Sequence, residues 1–92
     1  MFVHLGGERV VAVAEVVVVL DARLVAGSPI NQEFVRRAQV TGRFRGEGVS
    51  AEWKSLVVTR DQTIYAVGIS PATMTRRMTR LRQSAKAWDA ET

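Results

Sequence analysis

The sequence contains no cysteine, a single histidine and no long uninterrupted apolar run, and each absence excludes a class of protein. Without cysteine there is no disulfide framework and no thiolate metal site, which fits a reducing compartment. One histidine, His4, cannot form a histidine metal cluster. No run of 18 apolar residues predicts a membrane-spanning helix. We therefore predict a cytoplasmic protein that uses no metal, no cofactor and no membrane.

Catalytic patterns are also missing. No nucleophile or carboxylate is placed with His4 by the sequence, so a strand histidine is the simpler interpretation. Gly6-Gly7 is not followed by the remaining residues of a phosphate-binding loop. The sequence therefore predicts a protein that is not an enzyme and has no small-molecule substrate.

The length of 92 residues predicts one domain. Positive charge is concentrated in the second half of the chain. Residues 1–35 carry two basic residues against four carboxylates, whereas residues 36–86 carry eleven against three. Nine of those eleven are arginine, the side chain suited to bidentate contacts with phosphate and guanine. Duplex DNA is the first predicted partner. RNA ranks lower, because no aromatic-rich RNA-recognition motif is present.

Apolar alternation and turn residues predict a single small α+β domain with a mainly antiparallel sheet and the order β-β-β-α-β-β-β-α. Ser28-Pro29 and Ser70-Pro71 each predict a helix start, with serine as N-cap and proline in the first helical position. Helical spacing predicts two buried stripes, one made by Ile30, Phe34, Val35 and Ala38 and one by Met74, Met78, Leu81, Ala85 and Trp88.

The first twenty residues are more apolar than a domain of this size can bury. The run Val16–Leu20 has apolar side chains on both faces of a predicted strand. Covering the second face with another copy of the chain resolves this surplus. We predict a homo-oligomer with an interface that includes Val16, Val18, Leu20 and Trp53.

The candidate nucleic-acid contacts are basic residues in four places. A helix that turns about 100° per residue brings Arg76, Arg77 and Arg80 to neighbouring positions, and no carboxylate lies between residues 62 and 88. A solvated helix face is the alternative. Arg43 and Arg45 are predicted to point to one face of a strand, and Lys54 lies beside Trp53. Arg36 and Arg37 are the last candidates, on a helix where Glu33 can neutralise them. For the strand pair, charge that protects a sheet edge is the alternative.

A series of short segments in a fixed order resembles a known family. These segments are Phe2-Val3-His4-Leu5-Gly6, the strand that ends in Asp21, Ser28-Pro29 before Phe34, Lys54 to Thr59, Ile64-Tyr65, and Ser70-Pro71 with Thr73 and Arg77. Together they resemble the bacterial extracellular matrix regulators RemA and RemB, with RemB closer. The resemblance implies a cytoplasmic transcription regulator of biofilm matrix genes that binds DNA as a ring-like homo-oligomer. The resemblance covers roughly residues 1–78, and we predict a regulatory domain over residues 1–83 followed by a helix end and a short acidic tail over residues 84–92.

The sequence departs from the RemA-type pattern at positions expected to carry arginine. Ala51 and Glu52 stand where the RemA type has an arginine pair, and Glu15 stands where it has another arginine. The expected DNA-binding surface therefore moves to Arg36, Arg37, Arg43, Arg45 and the last helix. A self-assembling protein-interaction module without DNA binding, with its basic face on an acidic partner, is the alternative function.

Overall fold

The computed structural model describes residues 1–6, 9–46 and 48–90, with side chains described as far as residue 83. Within these residues the elements are β1 Phe2–Gly6, β2 Arg9–Ala12, β3 Val16–Asp21, α1 Arg23–Ala26, α2 Pro29–Val40, β4 Phe44–Gly46, β5 Ser55–Thr59, β6 Ile64–Val67 and α3 Pro71–Ala90. The predicted α+β class and element order are confirmed, and the short helix α1 is an addition between β3 and α2. Residues 91–92 and the side chains of residues 84–92, which include the predicted core residues Ala85 and Trp88 and the predicted acidic tail, lie outside the described part.

The described strands form two sheets rather than one. β1 and β2 make an antiparallel ribbon, and the other four strands make a mixed sheet in the order β3-β5-β6-β4. β4 runs parallel to β6, with Phe44 opposite Ile64, and the other described strand pairs are antiparallel, in agreement with the predicted mainly antiparallel sheet. The direction of β4 follows from its connection, because the helical segment between β3 and β4 carries the chain back to the end where β3 began.

The four-stranded sheet separates two apolar cores. Alternate residues of β5 point to opposite faces, so Val57 enters one core while Leu56 and Val58 enter the other. The first core holds the inner face of the β1–β2 ribbon and the methionines Met74 and Met78 of α3. The second core holds Ala38, Phe34 and Val35 of α2, together with Leu20, Ala22, Val25, Phe44 and Trp53. Helices α2 and α3 therefore cover opposite faces of the same sheet.

Both predicted serine caps are present. The Ser28 hydroxyl oxygen accepts from the Asn31 backbone N–H at 3.3 Å, and the Ser70 hydroxyl oxygen accepts from the Thr73 backbone N–H at 3.2 Å. Gly42 has a φ of 72° just after α2, a backbone conformation that glycine adopts without strain. These local signals explain why the two helices begin where the sequence predicts.

One residue of the predicted α2 stripe is misplaced. Phe34, Val35 and Ala38 face the core, but Ile30 is 82% exposed. The first turn of α2 contacts α1, where the Asn31 side chain donates to the Leu24 carbonyl oxygen at 3.3 Å. Ile30 points away from this contact, so the prediction that it is buried is wrong.

Candidate nucleic-acid interface

The first basic cluster is the arginine row, which we define as Arg76, Arg77 and Arg80 of α3. Met74 and Met78 attach the helix to the sheet, because both side chains are buried in the same core as Val57 and Val67. The three arginines are exposed and lie within about 100° of one another around the helix axis. The geometry therefore presents three guanidinium groups from one side of a helix that is anchored by its apolar face.

The arginine row has no acidic partner among the described residues. Arg76 Nη2 donates to the Thr73 hydroxyl oxygen at 3.3 Å, and no ion pair joins Arg76, Arg77 or Arg80 to a carboxylate in that part of the chain. Hydrogen-bond donors that are not used internally remain available to an external anion. A phosphate backbone is an anion that a row of such groups can contact.

The second basic cluster lies on the other side of the sheet, around a groove between α2 and the edge of β3. We define the α2–β3 groove by its apolar side chains Val17, Val18, Phe34, Val40 and Val58 and its basic side chains Arg36, Arg37, Arg43 and Arg60. Its volume is about 740 Å³. Three of the predicted nucleic-acid contacts, Arg36, Arg37 and Arg43, therefore meet at one surface.

Two of the groove arginines share a carboxylate. Glu33 accepts from Arg36 Nη2 and Arg36 Nε, each at 2.9 Å, and from Arg37 Nε at 3.4 Å. The Arg36 hydrogen bonds are the largest cause that lowers the pKa of Glu33 below its ordinary value, and Arg37 adds to the shift. Glu33 thus stays charged and offsets part of the positive charge on this side of the groove.

Arg43 and Arg60 lie at the end of the groove beside the β5–β6 turn. Neither is joined to a carboxylate by an ion pair within the described residues. Arg43 contributes to the lowered pKa of Asp61, although hydrogen bonds from Thr59 and Thr63 are the larger causes. Arg60 is a groove residue that the sequence analysis missed. Only the β3–β5 pairing, in which the Arg60 backbone N–H donates to the Glu15 carbonyl oxygen at 2.9 Å, brings it there.

Arg45 and Lys54 lie apart from both clusters. Arg45 Nη1 donates to the Gly42 carbonyl oxygen at 2.7 Å, and Arg45 is not among the residues that line the groove. Arg43 lines the groove and Arg45 does not, so the two side chains do not share one basic surface as predicted. Lys54 is exposed beside Asp21 and Arg23, near the start of α3. The candidate residues therefore form two basic clusters and two separate positions.

The Asp21–Arg23 pair next to Lys54 is a short ion pair on the surface. Arg23 Nη2 lies 2.6 Å from Asp21 Oδ2, and the Arg23 backbone N–H also donates to this carboxylate. The Arg23 side-chain hydrogen bonds lower the pKa of Asp21 to about 2. This carboxylate therefore remains charged at physiological pH and balances Arg23, leaving Lys54 as the extra cation at this position.

The predicted oligomer-interface residues are mostly used within the protomer. Val16 is only 8% exposed and belongs to the core beneath α3, which contradicts its place at a free interface. The cause is a bulge in β3, where Val16 pairs with Thr59 and Val18 with Val58, so Val17 is an extra residue. The alternation assumed for the strand is thereby broken between Val16 and Val18.

Leu20 and Trp53 are partly buried against the α2-side core. The Trp53 ring lies 5.4 Å from the Phe44 ring, centroid to centroid, and is directly over Gly46. Of the four predicted interface residues, Val18 is the one classed as exposed, at 41%. The exposed apolar surface of the chain lies elsewhere as well, on the outer face of the β1–β2 ribbon at Phe2 and Val10.

The described residues contain neither a metal-binding cluster nor a membrane-spanning helix. No group of three or more His, Asp or Glu side chains there could hold a metal ion. None of the helices in that part of the chain is long and apolar enough to cross a membrane.

A scan of known protein families found no family model that matches this chain, and a search of characterised proteins found no matching relative. The resemblance to the RemA and RemB regulators thus remains an expectation that rests on the segments quoted above.

Proposed function

We propose that this protein binds duplex DNA and acts as a cytoplasmic, non-catalytic transcription regulator of the kind that the RemB resemblance implies. The observation that carries the proposal is the arginine row on α3, which is exposed, anchored by Met74 and Met78, and without a described carboxylate partner. Three such cations on one helix face exceed what solubility requires. They suit contacts with successive phosphates along a duplex.

The test is a fluorescence-anisotropy titration of a labelled duplex across a series of salt concentrations. We expect log K to fall linearly with log salt, because bound cations displace counterions from the phosphates. Replacing the row as Arg76→Ala, Arg77→Ala and Arg80→Ala should weaken binding about 30-fold at low salt and reduce the slope by about three. Absence of binding by the unchanged protein at about 50 mM salt contradicts the proposal.

The matched control removes the same charge from the other cluster. A variant with Arg37→Ala, Arg43→Ala and Arg60→Ala loses three cations from the α2–β3 groove and should lower DNA affinity much less than the α3 variant. Equal losses from both variants would show that net charge, and not the arginine row, determines binding. An RNA competitor that displaces the duplex at equal concentration would favour RNA as the natural ligand.

We also propose that the protein works as a homo-oligomer whose contact surface is the outer face of the β1–β2 ribbon. Phe2 is 64% exposed and Val10 46% exposed, and the ribbon has no further strand paired with it in the described part of the chain. Large apolar side chains on a two-stranded ribbon are a typical contact surface between subunits. Association would repeat the arginine row and so strengthen binding to a long duplex.

Light scattering on a sizing column tests the association. A Phe2→Ser/Val10→Ser variant should run as a smaller species than the unchanged protein, while Ile30→Ser, an exposed change on α2, should leave the mass unaltered. A monomeric mass of 10.2 kDa for the unchanged protein at micromolar concentration contradicts this part of the proposal.

A further inference from the structure

The α2–β3 groove has a feature that DNA binding does not use, which is an apolar floor. Val18 and Val58 are register partners on neighbouring strands, and both line the groove together with Phe34 of α2. Helix α2 leaves this end of the sheet incompletely covered, so Val17 is 63% exposed. A duplex presents charged phosphates to a protein surface, and phosphates are not stabilised by contact with apolar side chains. The groove therefore suits a ligand with apolar side chains.

The groove also borders a free strand edge. β3 is hydrogen-bonded to β5 on one side, and no strand in the described residues pairs with its other side. Its six residues, Val-Val-Val-Val-Leu-Asp, contain no lysine and no proline, two residues that protect an edge, and the bulge at Val17 interrupts the edge near its start, so residues 18–21 form its regular part. The exposed edge thus offers main-chain donors and acceptors to an added strand. A lipid chain has no groups that could use them.

The positive charge around the groove favours a negatively charged ligand. Four arginines and no carboxylate line it within the described part of the chain. Glu33 pairs with Arg36 and Arg37, whereas Arg43 and Arg60 have no ion pair among those residues, and Arg43 has only a small electrostatic effect on the nearby Asp61 carboxylate. A second copy that paired β3 with β3 would bring two sets of these cations together, and like charges across an interface are unfavourable. An acidic ligand is favoured for the same reason.

We propose that the α2–β3 groove binds an extended acidic peptide from a partner protein, which adds to β3 as a further strand. Main-chain hydrogen bonds to the β3 edge supply affinity, as in other cases of strand addition. Every second side chain of the peptide is apolar and rests on Val18, Val58 and Phe34, while carboxylates at the end of the peptide meet Arg43 and Arg60 at the end of the groove. This inference is independent of the DNA proposal, because it uses the opposite face of the sheet.

The experiment measures fluorescence anisotropy of a labelled peptide of about eight residues in which valine and serine alternate between glutamates at both ends, long enough to pair along β3. The full chain should bind this peptide and should not bind a peptide in which lysine replaces every glutamate. Arg43→Ala/Arg60→Ala should weaken binding about tenfold and Arg43→Lys/Arg60→Lys should restore most of it. Equal affinity for the two peptides, or no effect of the alanine pair, overturns the proposal.

Strand addition has its own test. In a paired strand only the N–H groups of alternate residues face the neighbour. Of two peptides N-methylated on odd or on even residues, one should therefore lose binding and the other should keep it. Equal affinity of both peptides contradicts addition to β3. Val17→Asp should weaken binding about tenfold through repulsion at the groove, whereas Ile30→Asp, the same charge change elsewhere on the exposed surface, should not.

Two further measurements distinguish the peptide from the other possible occupants of the groove, which are a DNA duplex and a second copy of the chain. The alanine pair Arg43→Ala/Arg60→Ala should leave duplex binding nearly unchanged, and the Arg76, Arg77 and Arg80 variant should leave peptide binding nearly unchanged. If a duplex displaces the peptide, the groove is a DNA site and the proposal is wrong. If Val17→Asp turns an oligomer into a monomer, a second copy occupies the groove and the proposal is equally wrong.

Discussion

The arginine row of α3 and the arginines of the α2–β3 groove carry the same side chain in different surroundings. Around Arg76, Arg77 and Arg80 lies the polar surface of a helix, with Thr73 as the one described hydrogen-bond partner of Arg76. Around Arg43 and Arg60 lie an apolar floor and an unpaired strand edge. A cation therefore indicates an anionic partner, but its neighbours determine whether that partner is a phosphate backbone or an acidic peptide.

The difference also concerns how each cluster is held. The arginine row depends on one contact surface, since Met74 and Met78 attach α3 to the core that it shares with the ribbon. The groove depends on several short elements, because α2, β3 and the β5–β6 turn each contribute residues to it. We expect core changes on the two faces to separate the two activities, and the following predictions begin with the largest effect.

Met74→Ala should destabilise the packing of α3 against the sheet. The Met74 side chain is fully buried between α3 and the sheet, so truncation leaves a cavity and costs about 3 kcal/mol of unfolding free energy. Chemical denaturation measures the loss, and duplex affinity should fall with it as α3 loosens. Ile30→Ala, at an exposed position, should change stability by less than about 0.5 kcal/mol. An equal effect of the two changes would contradict the packing described for α3.

Gly46→Ala should destabilise the core on the α2 side of the sheet. A Cβ atom at residue 46 would overlap the Trp53 ring, which is packed against Phe44 and cannot move freely. The expected cost is about 2 kcal/mol, accompanied by a change in tryptophan fluorescence. Gly27→Ala is the control, because a Cβ atom there meets no neighbour within 4 Å. If Gly46→Ala is tolerated as well as Gly27→Ala, Trp53 does not lie over β4.

Ser70→Ala and Ser28→Ala compare the starts of the two helices. Each serine accepts a hydrogen bond from a backbone N–H in the first turn, and each loss should cost about 1 kcal/mol. Ser70→Ala should also weaken duplex binding, since the first turn of α3 holds the Thr73 hydroxyl that Arg76 contacts. Ser28→Ala should leave duplex binding unchanged. The opposite pattern in the binding assay would place the DNA contact on α2.

The smallest predicted effect is a pH dependence near the groove. Hydrogen bonds from the Thr59 hydroxyl and the Thr63 backbone N–H, with a smaller effect of Arg43, hold the pKa of Asp61 below its ordinary value of 3.8. A carboxylate whose pKa is lowered by folding stabilises the fold fully above its unfolded pKa. That contribution disappears as the pH falls from about 4 through the lowered pKa.

Asp61→Asn tests this assignment, because asparagine keeps an acceptor oxygen for the same hydrogen bonds and does not titrate. Thermal unfolding between pH 6 and pH 3 should shift less in this variant than in the unchanged protein. Identical shifts would mean that the carboxylate charge contributes nothing to the turn.

Several features of the fold could be predicted from local sequence. Ser28-Pro29 and Ser70-Pro71 begin helices as predicted, because capping and the φ of proline act within one turn. The spacing of Met74 and Met78 likewise indicated a buried face. Residues such as Ile30 were misassigned, because helical spacing identifies a stripe but not the length of helix that lies over the sheet.

Local sequence was sufficient to predict the order of the strands and of the two long helices, the excess of arginine in the second half and the anchoring face of α3, since each depends on residues near one another in the chain. The parallel pairing of β4 with β6, the bulge that turns Val16 into the core and the position of Arg60 beside Arg43 at a groove follow instead from tertiary contacts. Strand pairing joins residues far apart in sequence, and a single extra residue reverses which face each side chain occupies. For this reason two arginine clusters that look alike in the sequence lie on opposite faces of one sheet.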